Sequence, residues 1–181
     1  MFNKTKIWPF TLTVGIIILD QLTKYYIVKN WPQEGTIIKD LFGNGFLQFV
    51  HVRNKAIAFS IGHNLPDSIK LPLFIVLPLI VLGFLLWYYF RSPLFIRCQR
   101  WAVAGILGGG MGNMIDRVFR PDGVVDFISV RFYGIFGMER WPTFNIADAS
   151  VVVSCLFLLA TIFLIKDESK DEKKNKNEVL T

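Results

Sequence analysis

Residues 71–90, LPLFIVLPLIVLGFLLWYYF, run without a single charged side chain. A run of that length reaches about 30 Å as a helix, the thickness of bilayer hydrocarbon, and in hydrocarbon only a helix or a closed barrel satisfies its own backbone amides and carbonyls. Pro72 stands near its start, and Pro78 predicts a kink that neighbouring helices accommodate. Three further stretches, 7–28, 101–117 and 144–165, approach the same length but carry polar residues. All five tryptophans, Trp8, Trp31, Trp87, Trp101 and Trp141, stand at or within a few residues of the ends of these stretches, where amphipathic rings prefer the membrane interface. The pattern predicts a membrane all-α fold of four transmembrane helices. A chain of 181 residues with 52% hydrophobic residues, 19% charged ones and two cysteines fits neither a disordered chain nor a disulfide-stapled domain.

The connections are also informative. Segment 29–70 contains Gly43-Asn44-Gly45 between IIKDLF and FLQFVHV, a hairpin signal with β-branched and aromatic flanks. GVVDFISVRF at 123–132 is too short to span a bilayer and reads as a strand or re-entrant segment. The expectation is a small extracytoplasmic β-sheet and a second outer loop. Residues 166–181 hold five basic and five acidic groups, so the net charge of +6 resides entirely in residues 1–165. We therefore expect a membrane domain at 1–165 and a charged, disordered cytoplasmic tail at 166–181. Residues 1–6, the loop 91–100 and the tail pack ten Lys and Arg into 32 positions, and this density places both termini and that loop in the cytoplasm. No basic motif supports nucleic-acid binding. Lys4 and Lys6 precede an apolar run as in a secretory signal, but Asp20 interrupts it and no small-residue cleavage site follows, so it reads as a retained span. Cys98 and Cys155 fall at different depths and are expected to be unbonded.

Ionisable groups inside a membrane are costly, so their depth is a test of function. Counting from the cytoplasmic ends, Asp20 lies at roughly 20 Å, Asn113 at roughly 18 Å and Asp148 at roughly 25 Å. Asp116, Arg117 and Asp126 fall near that level, as do His51, Arg53 and Asn54 in the hairpin region. Asp20 and Lys24, at i and i+4, read as a local ion pair with the lysine snorkelling outward. Asn113 and Arg117, also at i and i+4, suit either a structural clamp or a contact to a substrate carbonyl or lipid phosphate. Ala104, Gly108 and Gly112 form a small-residue ridge of the kind that lets helices approach closely.

Asp126 in VVDFI and Asp148 in FNIADAS, the latter one helical turn after Asn145, are the sharpest pair. Two carboxylates brought together in a poorly solvated site cannot both ionise cheaply, so one keeps a proton and the other is a base, the arrangement that activates water against a peptide bond. Two unrelated interfacial aspartates are the alternative, since sequence separation does not establish that they meet. His51 and His63 stand twelve apart without a metal-binding pattern, and neither a serine-hydrolase elbow nor a phosphate loop is present. Ion relay by a small transporter and a structural adaptor role remain the other classes.

DQLTK at 20–24, RNKAIAF at 53–59, GGGMGNMIDR at 108–117, GVVDF at 123–127 and FNIADAS at 144–150 together resemble the lipoprotein signal peptidase (signal peptidase II) family across all four stretches. The resemblance implies a bacterial inner-membrane aspartic endopeptidase, its site toward the outer face. It would remove signal peptides from diacylglyceryl-modified prolipoproteins, cleaving immediately before the lipid-modified cysteine. It implies Asp126 and Asp148 as the catalytic dyad, and Asn54, Asn113, Arg117 and Asn145 as residues that hold substrate or orient the aspartates. Asp20, Lys24 and Asp116 take supporting positions. It further implies no metal or organic cofactor, binding of the cyclic peptide globomycin at the same site, and action as a monomer in contact with membrane lipid. The family pattern Asn-x-Gly-Ala-Ala-Phe reads Asn54-Lys55-Ala56-Ile57-Ala58-Phe59 here, so the conformation or selectivity of this loop is expected to differ.

Overall fold

The computed structural model describes residues 4–54, 66, 69, 72–93 and 95–178. A short turn at Lys4–Ile7 leads into helix α1 (Phe10–Asn30), which is followed by strands β1 (Ile37–Asp40) and β2 (Leu47–Asn54). Helices α2 (Leu77–Arg91) and α3 (Arg97–Phe119), strand β3 (Val124–Val130) and helix α4 (Ile146–Glu178) complete the chain.

Three helical segments, Lys4–Asn30, Pro72–Arg91 and Ile146–Leu164, are long and apolar enough to cross a membrane. They turn apolar side chains outward, as at Ile80 (62% exposed) and Phe84 (62%), the inverse of a bundle built for water. α3 falls short of that apolarity because five glycines and Arg100, Asn113, Asp116 and Arg117 share its 23 residues. It is instead the most buried helix, packed chiefly against α4 and α1. A π-helical turn at Pro72–Val76 runs directly into α2, so the helical ladder is irregular just ahead of Pro78, which stands in the first turn of α2. α4 continues to Glu178, so a helix extends into the charged segment that composition marks as a tail.

Close approach around α3 is what its glycines provide. A Cβ at Gly108 would lie 3.1 Å from the Thr13 Cα and carbonyl oxygen of α1. One at Gly109 would collide with the Ala147 carbonyl oxygen of α4, and one at Gly110 would come within 2.5 Å of the Leu82 side chain of α2. The ridge expected at Ala104, Gly108 and Gly112 is therefore the α1 contact, where Thr13 Oγ1 also donates to the Ala104 carbonyl at 2.7 Å. Without a hydrophobic drive between lipid-facing helices, such van der Waals contact and interhelical hydrogen bonding hold them together.

The hairpin and the 123–132 segment form one antiparallel sheet in the order β1-β2-β3. Asp40 organises the turn, its carboxylate accepting from the amides of Phe42, Gly43 and Gly45 while Gly43 and Gly45 take φ of +70° and +76°. In β3, strict alternation sends Val125 and Phe127 to one face, where they form a core with Ile27 of α1, and Asp126 to the other. The β2–β3 register sets Val52 opposite Asp126 and Asn54 opposite Val124, so Asn54 and Asp126 share a face.

Gly108→Leu forces the α1–α3 backbones apart and is expected to destabilise the fold by about 1–3 kcal/mol. Gly15→Ala, whose Cβ would meet nothing within 4 Å, is expected to be neutral. Thermal unfolding of both purified variants in detergent checks the contrast.

Candidate active site

Local chain chemistry sets Asp148. Asn145 caps α4 and Asp148 is the third residue of its first turn: the Asn145 side-chain oxygen accepts from the Asp148 amide at 2.9 Å, while the Asp148 carboxylate accepts from the Asn145 amide at 3.2 Å. This reciprocal capping box fixes both side chains at a helix N-terminus, where negative charge is favoured. The Asn145 side-chain nitrogen is then free to donate to Asp126 Oδ1 at 2.7 Å. A single asparagine thus touches both carboxylates. Asn113 of α3 donates to the other Asp148 oxygen, Oδ1, at 2.7 Å, and Asn54 of β2 donates to Asp126 Oδ2 at 3.1 Å.

Asn54, Asn113, Arg117, Asp126 and Asp148 line one cleft of about 300 Å³, with Trp141 and Phe144 among its walls. Asp126 is buried at 2% exposure. That burial, reinforced by the negative charge of Asp148, raises its pKa to about 7 despite the asparagine donors. Arg117 is half-buried, and among the described residues its guanidinium donates no hydrogen bond, so it faces the cleft with its donors available. Among the described residues no group of three or more His, Cys, Asp and Glu side chains is placed to hold a metal ion.

Behind the cleft stand the three remaining residues, in an arrangement the sequence did not reveal. Lys24 pairs with Asp20 at 2.8 Å, as its spacing predicts, but it does not snorkel. It is fully buried and points inward, because Asp116 at 3.1 Å and the Asn113 side-chain oxygen at 2.9 Å satisfy its other protons. Asp20 accepts from the Ala147 amide of α4 at 3.0 Å and Asp116 from the Val125 amide of β3 at 3.1 Å, while Arg120 closes on Asp116 at 2.7 Å. Gln21, to which the sequence analysis gave no role, donates to both carboxylates and to the Gly112 carbonyl.

His51 lies apart from the cleft lining, buried, with Nδ1 2.6 Å from the Trp31 carbonyl oxygen. Cys98 and Cys155 are unbonded. The altered loop from Lys55 to Phe59, with Ala56 and Ile57, and His63 lie outside the described residues.

Lys24→Met leaves Asp20 and Asp116 buried against each other with one cation fewer, and is expected to cost about 3–5 kcal/mol of stability. A drop in the unfolding midpoint of the purified protein far larger than that of exposed Lys29→Met checks it.

The signal peptidase (SPase) II family matches residues 12–164. The chain is 43% identical over 176 residues to the lipoprotein signal peptidase of Treponema pallidum (strain Nichols), covering 97% of this chain and 93% of that one. It is 45% identical over 157 residues to the lipoprotein signal peptidase of Borrelia hermsii (strain HS1 / DAH), covering 86% and 89%. A bacterial membrane enzyme solved by the in meso method at 2.3 Å resolution superimposes with a TM-score of 0.71 at 30% identity, over 93% of this chain and 92% of that one. With matches of this extent along nearly its whole length, the chain belongs to the signal peptidase II family.

Proposed function

We propose that this protein is an aspartic endopeptidase of the bacterial cytoplasmic membrane. It removes the signal peptide from diacylglyceryl-modified prolipoproteins by cleaving immediately before the lipid-modified cysteine. The observation that carries this reading is Asn145, which hydrogen-bonds one carboxylate on β3 and another on α4 in the same cleft. α3 serves as a fourth span because its polar residues are turned inward among α1, α2 and α4. Both termini then lie in the cytoplasm, the sheet and cleft lie toward the outer face, and residues 1–165 form the peptidase domain with 166–181 as an accessory cytoplasmic tail.

The chemistry follows from the asymmetry of the pair. Asp148, at a helix N-terminus and accepting two hydrogen bonds, takes the role of base. Asp126, more reluctant to ionise, holds the shared proton. Asp148 takes a proton from water as the water oxygen bonds to the scissile carbonyl carbon, and Asp126 donates its hydrogen bond to the developing oxyanion. Collapse of the tetrahedral intermediate breaks the C–N bond, and a carboxyl proton passes to the leaving amine. Asn54 and Asn145 orient Asp126, Asn113 orients Asp148, and Arg117 offers its free donors to substrate carbonyls. No metal or organic cofactor takes part. A lipidated peptide reaches such a site laterally, its acyl chains remaining in the bilayer. Globomycin competes for the same cleft, with potency tuned by Ala56 and Ile57, and one chain suffices for activity.

Purified Asp126→Asn and Asp148→Asn are each expected to lose at least about 10²-fold in cleavage of a diacylglyceryl prolipoprotein peptide while still binding it. Near-normal turnover in either folded variant overturns the dyad. The proton on the pair also sets a pH limit. Because the raised Asp126 pKa keeps that proton bound below about 7, turnover is expected to fall as pH rises through about 7. A pH–rate profile of the wild type that stays flat from 6 to 9, in steps of about one unit, contradicts the assignment of the proton.

A further inference from the structure

The end of the bundle away from the cleft carries charge that no carboxylate among the described residues answers. Lys4, Lys6, Arg91, Arg97 and Arg100 gather there, and neither residues 1–19 nor residues 91–115 contain an Asp or Glu. Lys6 is spent on the Phe90 carbonyl at 2.8 Å. Arg100 is 8% exposed, lies over the Tyr89 ring at 5.4 Å and keeps one guanidinium nitrogen without a hydrogen-bond partner. Among the described residues Lys4 and Arg97 have no carboxylate partner either, and α3 begins at Arg97 with no acidic residue in its first turn.

Lys4 and Arg97 face a common crevice of about 700 Å³ between the chain start and α3, walled by Ile7, Trp8 and Trp101. The crevice is thus two-natured: cations at one side and apolar surface at the other, with Trp8 66% and Ile7 43% exposed. A free phosphate or a peptide carboxylate would answer the cations but leave that apolar wall uncovered. An anionic amphiphile answers both.

We propose that this crevice is a binding site for an anionic phospholipid, its phosphate held by Lys4 and Arg97 and its acyl chains lying along Trp8 and Ile7. Lys4 and Arg97 are both exposed; accessible cations beside a membrane surface attract anionic headgroups, and tryptophan rings favour the headgroup level of the bilayer. The site lies about 24 Å along α3 from Asn113, so its occupation is separable from peptide cleavage.

The test uses the full-length protein in neutral detergent, titrated with dioleoyl phosphatidylglycerol or dioleoyl phosphatidylcholine, and reads lipid retention by native mass spectrometry together with the unfolding midpoint. The wild type is expected to retain phosphatidylglycerol selectively and to unfold at higher temperature in its presence. Lys4→Gln/Arg97→Gln should weaken that retention by about tenfold or more while leaving basal cleavage unchanged, and Lys4→Arg/Arg97→Lys should restore it. Equal retention of the two lipids by the wild type, or undiminished phosphatidylglycerol retention by the Gln pair, overturns the site. Inorganic phosphate giving the same stabilisation overturns the amphiphile reading. Neutralising Asp167, Glu168, Asp171 and Glu172 should leave lipid affinity unchanged. A large gain would show that the crevice is filled by the protein's own tail instead.

Discussion

A lysine ammonium with no exposure to solvent needs its charge and its three protons answered from within, and in this chain the answer ties the site together. Lys24 of α1 reaches Asp20, Asp116 and Asn113, so one side chain joins α1 to α3. The two aspartates extend the tie, Asp20 to the Ala147 amide of α4 and Asp116 to the Val125 amide of β3. With Arg120, the cluster holds two cations against two carboxylates and is neutral as a whole. A buried ion pair adds little net stability over a well-packed apolar substitute, because desolvation offsets the attraction. Its value here is in register: four elements share one charge cluster, and sliding any of them by a residue would leave an unpaired charge in a low-dielectric interior. Asn113 carries that register to the cleft, accepting from Lys24 with its oxygen and donating to Asp148 with its nitrogen.

The second determinant is the absence of side chain. Gly112 leaves room for the Asp20 carboxylate, whose oxygen lies 2.8 Å from where its Cβ would stand. Gly109 admits the Ala147 carbonyl of the first turn of α4. The glycines and the ions therefore depend on each other: only a thin α3 lets the charged groups of α1 and the capped end of α4 meet across it. This also explains why α3 is a poor membrane segment by composition and yet the most enclosed helix of the bundle.

What the sequence made legible divides along physical lines. The apolar runs at 7–28, 71–90 and 144–165, the hairpin around Gly43 to Gly45 and the strand at GVVDF follow from periodicity and turn chemistry, which are local, and each is present. That Asp20, Asn113 and Asp148 come close together was readable by counting residues along helices. Which way a side chain points there was not. Lys24 looks like a snorkelling lysine from its i, i+4 aspartate alone, and only the arrival of Asp116 and Asn113 from another helix turns it inward. Gln21 was passed over because a glutamine beside an ion pair has no pattern of its own. One local signal was available and went unread: Asn145-Ile-Ala-Asp148 has the spacing of a capping box, which places both residues at a helix start.

That capping box also shows why the two carboxylates are carried by different kinds of element. The residue before it, Phe144, exchanges backbone hydrogen bonds with Ile128 at 2.8 and 3.0 Å and accepts a further one from Phe127 at 3.0 Å. The entry to α4 is thereby fastened to β3 directly beside Asp126. From this point Asn145 turns the chain into the helix and spends its side chain on Asp126 and its backbone amide on Asp148. The separation of the two aspartates is set by a strand pairing and a helix cap, both rigid, instead of by a flexible loop. The proposed sharing of one proton would depend on that spacing, since drawing two carboxylates apart lets both ionise and pressing them together makes the second charge costlier. The Lys24 cluster on the far side of Asn145 and Asn113 opposes either movement, because Val125 and Ala147, the neighbours of Asp126 and Asp148 in sequence, are the residues whose amides it holds.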